Sequence, residues 1–366
     1  MRRHVLVIAT YVVGCGSNSG SSKLDAAIPD SAVADAPIDG PPPRRELGLE
    51  IEAPGSATQG QEISVAMPFG VGVIPLTIPW STLEPGGSGF DMATVNLLNA
   101  GMTYYRGAGL HVMLSIPAVD TVAVLVPSDL GSDALDSPSV TARAQAMITE
   151  VLAQCGSELE YLVLSNEVDI NLADGTPTWA ELDGLTAAEV EQVHSIRPDV
   201  KTGVSVTSSS LLSSPPNADA VAALHANDVA FLTYYDAGNF GAASTAGVTA
   251  DMTAILAATD RPVVFKEFGY ATGSDLGGSD SGQETFVGDA FTAWDANAAR
   301  VPLLVYSRMF DDLQATCQAE ANAYGEGSNA AFVEFLCTLG LRTYADQPKA
   351  AWSTFTAAAR ARTWGP

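Results

Sequence analysis

The sequence has little positive charge. Lysine and arginine together number 17 against 42 aspartates and glutamates, which gives a formal net charge of −25 at pH 7. Such an excess of negative charge argues against binding to nucleic acid and against non-specific binding to anionic lipid. It fits a neutral substrate and a self-repelling surface, so we expect a monomer that does not bind nucleic acid.

Cysteine and histidine are also scarce, with four residues of each type. No pair has the CxxC or Cys/His spacing of a zinc site, and no histidine accompanies a serine or cysteine in a nucleophile elbow. We therefore expect no metal, no cofactor and no Ser-His-Asp chemistry. Exported proteins can form disulfides, and Cys317 with Cys337 is the pair we expect because both flank one long late loop. Cys155 would then be a free, packed thiol.

The N-terminus has the pattern of an export signal. Two arginines precede an apolar run, residues 5–13, that is too short to span a bilayer. Residues 12–15 resemble a bacterial lipobox, although Val12 stands where leucine is preferred. The resemblance implies a signal peptide over residues 1–14 and a lipid anchor on Cys15, which would hold the protein at a bacterial cell envelope or surface. The alternative is an ordinary secretory signal with an incidental cysteine.

Residues 15–45 are rich in serine, glycine, alanine, aspartate and proline. Such a stretch cannot bury enough apolar surface to offset its ordering entropy, and its prolines favour an extended spacer. We predict a disordered linker here. Residues 46–366 come after it without a comparable break, and their number, about 320, is usual for a single α/β barrel domain.

Segments typical of buried strands alternate with helical patterns over this domain. The eight strand-like segments are residues 47–51, 73–78, 110–116, 161–166, 200–206, 229–234, 262–267 and 302–307. The alternation is the signature of βαβ units. Eight such units predict a (β/α)8 TIM barrel of the α/β class.

Acidic residues end two of these strand segments. Asn166 and Glu167 follow the fourth, and Glu267 ends the seventh. Catalytic groups of parallel barrels lie at the C-terminal strand ends, and burying a carboxylate is costly unless the site uses it. Two such glutamates are the minimum equipment for glycoside hydrolysis. The alternative for Glu167 is a salt-bridged carboxylate with a structural role.

The combination resembles the retaining glycoside hydrolases of clan A, the cellulase- and galactanase-like barrels. The resemblance extends to residues 78–85 and 340–352 but selects no family within the clan. It implies that Glu167 is the acid/base, that Glu267 is the nucleophile and that Asn166 binds the sugar 2-hydroxyl. The implied substrate is a β-linked poly- or oligosaccharide, cleaved in the endo mode.

Several further residues have candidate roles. The clan uses a tyrosine of the sixth strand to orient the nucleophile, and of Tyr234 and Tyr235 we prefer Tyr234. Trp80 and Tyr306 follow strand ends, where aromatic rings either stack on sugars or pack in loops. Strict strand alternation points Lys266 away from the barrel axis, which predicts a partner in the helix layer.

One position departs from the clan. Relatives commonly carry an arginine on the second strand that supports the nucleophile, and Thr77 occupies the matching position here. Losing that cation should raise the pKa of Glu267. Either another group supports the nucleophile, or the protein is a weakened, glycan-binding lipoprotein. A barrel enzyme of another chemistry is a third reading, because fold alone does not fix function.

Overall fold

The computed structural model describes residues 45–364 except residues 56, 88 and 236–246. The predicted signal peptide, Cys15 and almost all of the predicted linker lie outside the described residues. Among the described residues, no helix is both long and apolar enough to cross a membrane.

Eight strands close into a parallel barrel, in which the first strand pairs with the eighth. In chain order the barrel strands are Glu46–Leu49, Val71–Thr77, His111–Ser115, Leu159–Ser165, Lys201–Thr207, Ala230–Tyr235, Val263–Gly269 and Leu303–Tyr306. Each overlaps one predicted segment, so the predicted TIM barrel is confirmed. A small antiparallel hairpin, Val119–Asp120 with Ala123–Val124, follows the third barrel strand.

Helices connect the strands and surround the barrel. The main helices of this layer are Gln59–Ala66, Met92–Ala108, Pro138–Gln154, Trp179–Ile196, Ala218–Ala226, Val248–Ala258, Asp280–Ala296 and, after the last strand, Ala350–Arg360. Side chains fix their starts, as where Thr178 forms a capping box with Glu181. The remaining helices are Trp80–Leu83, Val168–Asn171, Ser208–Leu212, Gln314–Ala323 and Ala330–Cys337, with 3-10 turns at Met67–Phe69, Leu172–Asp174 and Ser274–Leu276.

The core has two layers, because successive strand residues face opposite sides of the sheet. The barrel interior is filled by Val73, Met113, Tyr161, Val163, Val229, Phe231, Val264, Leu303 and Val305. Their strand neighbours, such as Leu162 and Leu232, pack in the outer layer with the helices. The filled interior leaves the C-terminal strand ends as the place for a site.

Two helices after the eighth strand contribute most of a third hydrophobic cluster. We call Gln314–Ala323 and Ala330–Cys337 the cover helices; a disulfide joins Cys317 to Cys337 between them. Tyr235 and Tyr324 pack against this cluster. Cys155 is a free, partly buried thiol at the end of helix Pro138–Gln154.

Candidate active site

A polar cavity of about 200 Å³ lies at the C-terminal ends of the barrel strands. Five carboxylates and two cations are among its walls, together with hydroxyl and amide groups. The lining residues are Glu50, Glu52, Thr77, Ser115, Asp120, Asn166, Tyr235, Lys266, Glu267, Arg308, Glu320 and Tyr324.

Glu267 is held by two donors in this cavity. Lys266 Nζ lies 2.6 Å from its Oε1, and the Tyr235 hydroxyl donates to its Oε2 at 2.8 Å. Burial alone would raise the pKa of Glu267, but the charge and hydrogen bond of Lys266, the Tyr235 hydroxyl and the charge of Arg308 together lower it. Glu267 is therefore ionised at neutral pH. The expectation of a raised pKa, based on Thr77, is wrong.

Lys266 faces the cavity because the seventh strand carries one extra residue. Leu232 of the sixth strand pairs with Phe265, whereas the next residue, Thr233, pairs with Glu267. Phe265 packs in the outer layer, and the shift lets both Lys266 and Glu267 face inward. The prediction that Lys266 lies in the helix layer is wrong, because it assumed strict alternation.

Glu167 occupies a strained turn after the fourth strand. Its φ of 44° and ψ of 45° are left-handed, which costs about 1–3 kcal/mol for a residue with a side chain. Its backbone N–H donates to Ser205 Oγ at 3.1 Å, and its carboxylate accepts from Thr233 Oγ1 at 2.6 Å and Thr121 Oγ1 at 2.8 Å. These contacts hold the side chain in one orientation.

The pKa of Glu167 is raised to about 7. Burial is the main cause and the negative charge of Glu267 adds to it, while the hydrogen bonds from Thr233 and Thr121 act in the opposite direction. Thr233, which bonds Glu167, is also the sheet partner of Glu267, so the two carboxyl groups flank one residue. One carboxyl is ready to donate a proton near neutral pH and the other to attack as an anion, the pairing that acid-assisted displacement needs.

Asn166 is fixed from both ends of its amide. Nδ2 donates to Asp120 Oδ1 at 2.9 Å, and Oδ1 accepts from Lys266 Nζ at 2.6 Å and from Ser205 Oγ at 2.9 Å. The side chain lines the cavity beside Glu167. Its predicted contact with a substrate hydroxyl stays a prediction.

The preference for Tyr234 over Tyr235 is wrong as a statement of geometry. The Tyr234 hydroxyl donates to Asp251 at 2.8 Å, and its ring stacks on Phe268 in the outer layer. Because Phe231 faces the barrel interior, alternation turns Thr233 and Tyr235 inward and Tyr234 outward. From the sequence, alternation shows only that the two tyrosines face opposite sides of the sheet; the facing of Phe231 in the structure decides which one turns inward.

Neither Trp80 nor Tyr306 reaches the cavity. Trp80 is fully buried, and its indole N–H donates to Glu84 at 3.1 Å. Tyr306 is 2% exposed, packs edge-on against Phe355 and borders a small apolar void in the outer layer. The expectation that these rings stack on a sugar is therefore wrong.

The cavity lining also includes an ion-pair cluster around Arg308. Arg308 is almost buried there and pairs with Glu50 at 3.7 Å, with Glu320 at 3.0 Å and with Asp312. Burial, partly offset by the charge of Arg308, raises the pKa of Glu50 to about 7. Glu50 directly follows the first strand, and that strand-end position was the available signal.

A second cluster lies at the other end of the barrel. His111 Nδ1 lies 2.5 Å from Glu46 and 3.0 Å from Glu160, at the starts of the strands. The hydrogen bonds that the imidazole donates to Glu160 and Glu46 raise the pKa of His111 to about 10. The three ligand atoms lie within 4.8 Å of one another, but a protonated imidazole makes ion pairs and does not ligate a metal. This face of a TIM barrel typically serves stability.

Comparison with known proteins gives a match in fold only. No family model and no curated protein sequence matches the chain. Among solved structures, a GH5_18 from Bifidobacterium longum subsp. infantis is 15% identical, over 88% of this chain and 80% of that one, with a TM-score of 0.67. A GH5_18 from Streptomyces cattleya in complex with GlcNAc is 15% identical over 89% and 83%, with a TM-score of 0.66.

An exo-beta-1,4-mannosidase, Op5Man5 from Opitutaceae bacterium strain TAV5, is 17% identical over 87% of this chain and 60% of its own, with a TM-score of 0.65. Identities this low carry the fold and not the chemistry. The chain is thus similar to these GH5 and mannosidase structures in its eight-stranded barrel.

Proposed function

We propose that the protein is a retaining glycoside hydrolase acting on a β-linked oligo- or polysaccharide, with Glu267 as nucleophile and Glu167 as acid/base. The observation that carries the proposal is the placement of two carboxyl groups on either side of Thr233, which bonds Glu167 and pairs in the sheet with Glu267. Their surroundings shift the pKa of Glu167 upward and that of Glu267 downward. The solved structures of the same fold that bear glycosidase names support it.

In the first step, Glu267 attacks the anomeric carbon while Glu167 gives its proton to the leaving oxygen. The glycosidic C–O bond breaks as an ester to Glu267 forms. Asn166 would accept or donate a hydrogen bond at the sugar 2-hydroxyl, a contact that strengthens in the oxocarbenium-like transition state.

In the second step, water replaces the ester. The negative charge of Glu267 is one cause of the raised pKa of Glu167, and esterification removes that charge. Glu167 therefore loses its proton more readily in the intermediate and accepts one from water. The C–O bond to Glu267 breaks, and the sugar leaves with its original anomeric configuration.

The size of the cavity favours one sugar ring over a long groove. Its volume of about 200 Å³ is below the range of about 300–1,000 Å³ that takes drug-sized ligands. Within the described residues, Arg308 and the cover residues Glu320 and Tyr324 form one wall. The endo mode that the clan resemblance implies stays a prediction.

Azide rescue with dinitrophenyl β-glycosides tests the assignment. Glu267→Ala should lose turnover, and azide should restore it with an α-glycosyl azide as product, because azide then attacks from the nucleophile's side. Glu167→Ala should slow turnover about 10²–10⁴-fold and yield a β-glycosyl azide, since the ester still forms with this good leaving group.

Glu284→Ala is the matched control, because this exposed glutamate lies on helix Asp280–Ala296 and contacts Thr354. It should retain wild-type rates. Full activity of Glu267→Ala, or the opposite azide products, would overturn the assignment.

A glycan-binding protein without turnover is the competing function. The reason for considering this function was that Thr77 carries no charge where relatives carry an arginine. In the structure, Lys266 supplies a cation beside Glu267. Saccharide binding without release of product from any glycoside in the panel would favour it.

We also propose export and lipid anchoring through Cys15, on the strength of the signal-like N-terminus and the linker composition. The domain would then act at the cell envelope or surface, on saccharides outside the cytoplasm.

A further inference from the structure

The second strand brings no cation to the nucleophile. Thr77 ends that strand and lines the cavity, where its side chain carries no charge. The ammonium group nearest Glu267 comes instead from Lys266 on the same strand as Glu267. The one-residue register shift is what brings the two side chains to the same side of the sheet.

Lys266 is charged although it is buried. Its side chain is 5% exposed. Burial alone would lower the pKa of Lys266, but the charge and hydrogen bond of Glu267 outweigh burial and raise it, with smaller contributions from Glu167 and Asp120. Around it the cavity presents the carboxyl groups of Asp120, Glu50, Glu52, Glu267 and Glu320, the neutral hydroxyls of Tyr235 and Tyr324, and the cation Arg308.

The ammonium group makes two short bonds that connect different parts of the site. Nζ lies 2.6 Å from Glu267 Oε1 and 2.6 Å from Asn166 Oδ1. The second bond fixes which end of the Asn166 amide is the acceptor, so that Nδ2 faces Asp120. One cation thus orients both the nucleophile and the amide beside the acid/base.

Arg308 cannot orient Glu267 and Asn166 in the same way. Its guanidinium contacts Glu50, Asp312 and Glu320, so its charge is already balanced on the far wall. Among the residues that the structure describes, Lys266 has one direct ion-pair partner, Glu267. Esterification of Glu267 would leave the charge of Lys266 without that partner.

We propose that Lys266 is a positioning residue for both steps of the reaction, in place of a second-strand arginine. In the first step it keeps Glu267 ionised and aligned. In the second, its released charge faces Glu167 and Asp120 and favours loss of the proton from Glu167, which must then act as a base. The inference rests on the proposed hydrolase function.

Lys266→Gln tests it, because glutamine retains a hydrogen-bond donor and loses the charge. We expect kcat for a dinitrophenyl β-glycoside to fall about 10²–10³-fold, the usual cost of one preorganised electrostatic contact, with little change in KM. The acidic limb of the kcat/KM profile should move to higher pH, because Glu267 would need a higher pH to ionise.

The second step is measured separately, by reactivation of enzyme trapped with a 2-deoxy-2-fluoro glycosyl fluoride. Lys266→Gln should reactivate more slowly than wild type, and its reactivation should require a higher pH. Lys266→Arg restores the charge and should move both profiles back towards wild type.

Lys349→Met is the matched control, since Lys349 is another buried lysine and pairs with Asp311 at 2.7 Å outside the cavity lining. It should lower stability and leave both pH profiles in place. If Lys266→Gln kept the kcat of wild type and both of its pH profiles stayed in place, the inference about Lys266 would be overturned. The proposed hydrolase function would be unaffected. Absence of turnover in wild type would instead count against the proposed function itself.

Discussion

At the scale of single residues, the site depends on how differently two glutamates are surrounded. Both are half-buried at the strand ends, yet Glu267 faces an ammonium group and a phenol, whereas Glu167 faces two threonine hydroxyls and a carboxylate. Burial therefore raises the pKa of Glu167, whereas the cation lowers the pKa of Glu267. Division of labour between identical side chains thus comes from their neighbours.

The pH profile should report the pKa of Glu167. A poor leaving group needs the protonated acid, so kcat/KM for an alkyl or oligosaccharide β-glycoside should fall as the pH rises through about 7. Thr233→Val removes a hydrogen bond that favours the ionised form, and this limb should then move to higher pH. Glu50→Gln is the control, because the pKa of Glu50 is also about 7. If this limb moved in Glu50→Gln and stayed fixed in Thr233→Val, it would report the pKa of Glu50, and our assignment of it to Glu167 would be wrong.

The two neighbouring tyrosines should separate in function. Tyr235→Phe removes the hydroxyl that bonds Glu267, and we expect kcat to fall about 10-fold or more, since such a contact is worth roughly 1.5–3 kcal/mol. Tyr234→Phe removes the bond to Asp251, which should cost about 1 kcal/mol of unfolding free energy and leave kcat unchanged. Steady-state kinetics and urea unfolding of both variants check this; the reverse pattern would contradict the observed facing of the sixth strand.

At the scale of elements, the apolar runs of the barrel strands were enough to predict all eight of them and the closed barrel they form. The same runs placed Glu167 and Glu267 at strand ends. The position of Lys266 could not be predicted, because an inserted residue in a strand leaves no mark on hydrophobicity and reverses the facing of the residues after it. The burial of Tyr306 also depends on a neighbour from a distant segment, Phe355.

The ion pairs of His111 at the starts of the strands give a separate prediction about stability. The pKa of His111 is about 10 in the folded state and 6.5 in its ordinary range. Since the folded state binds this proton more tightly, the stabilisation is complete below about pH 6.5 and is lost as the pH rises through about 10.

Urea unfolding at pH 6, 8 and 10.5 should show the difference in unfolding free energy between wild type and His111→Gln shrinking with pH. Lys201→Gln, an exposed strand-start residue, is the control and should differ little from wild type at pH 6 and 8. A difference for His111→Gln that is the same at all three pH values would show that folding does not raise the pKa of the imidazole.

At the scale of the whole molecule, an acidic barrel follows a long polar segment. The segment falls outside the described residues, so its proposed anchor needs a direct measurement. In a bacterial host, Cys15→Ser should move the protein from the membrane fraction to the soluble fraction of the envelope, because a lipid chain is the only membrane anchor the proposal includes. Turnover of dinitrophenyl glycosides by the released protein should be unchanged. Equal membrane fractions for both forms would remove the lipid anchor from the account.

The disulfide between the cover helices links the proposed export to the proposed chemistry of the site. Phe335 lies on the helix that ends at Cys337, and its ring meets the ring of Tyr235 edge-on at 5.1 Å. Glu320 and Tyr324 belong to the segment that begins with the other cover helix, which carries Cys317. Chain made in a reducing cytoplasm would keep both glutamates but lack the covalent link behind the tyrosine that orients one of them. If the protein is exported as we propose, its catalytic rate should therefore reach its full value only in an oxidising compartment, which would spare intracellular saccharides.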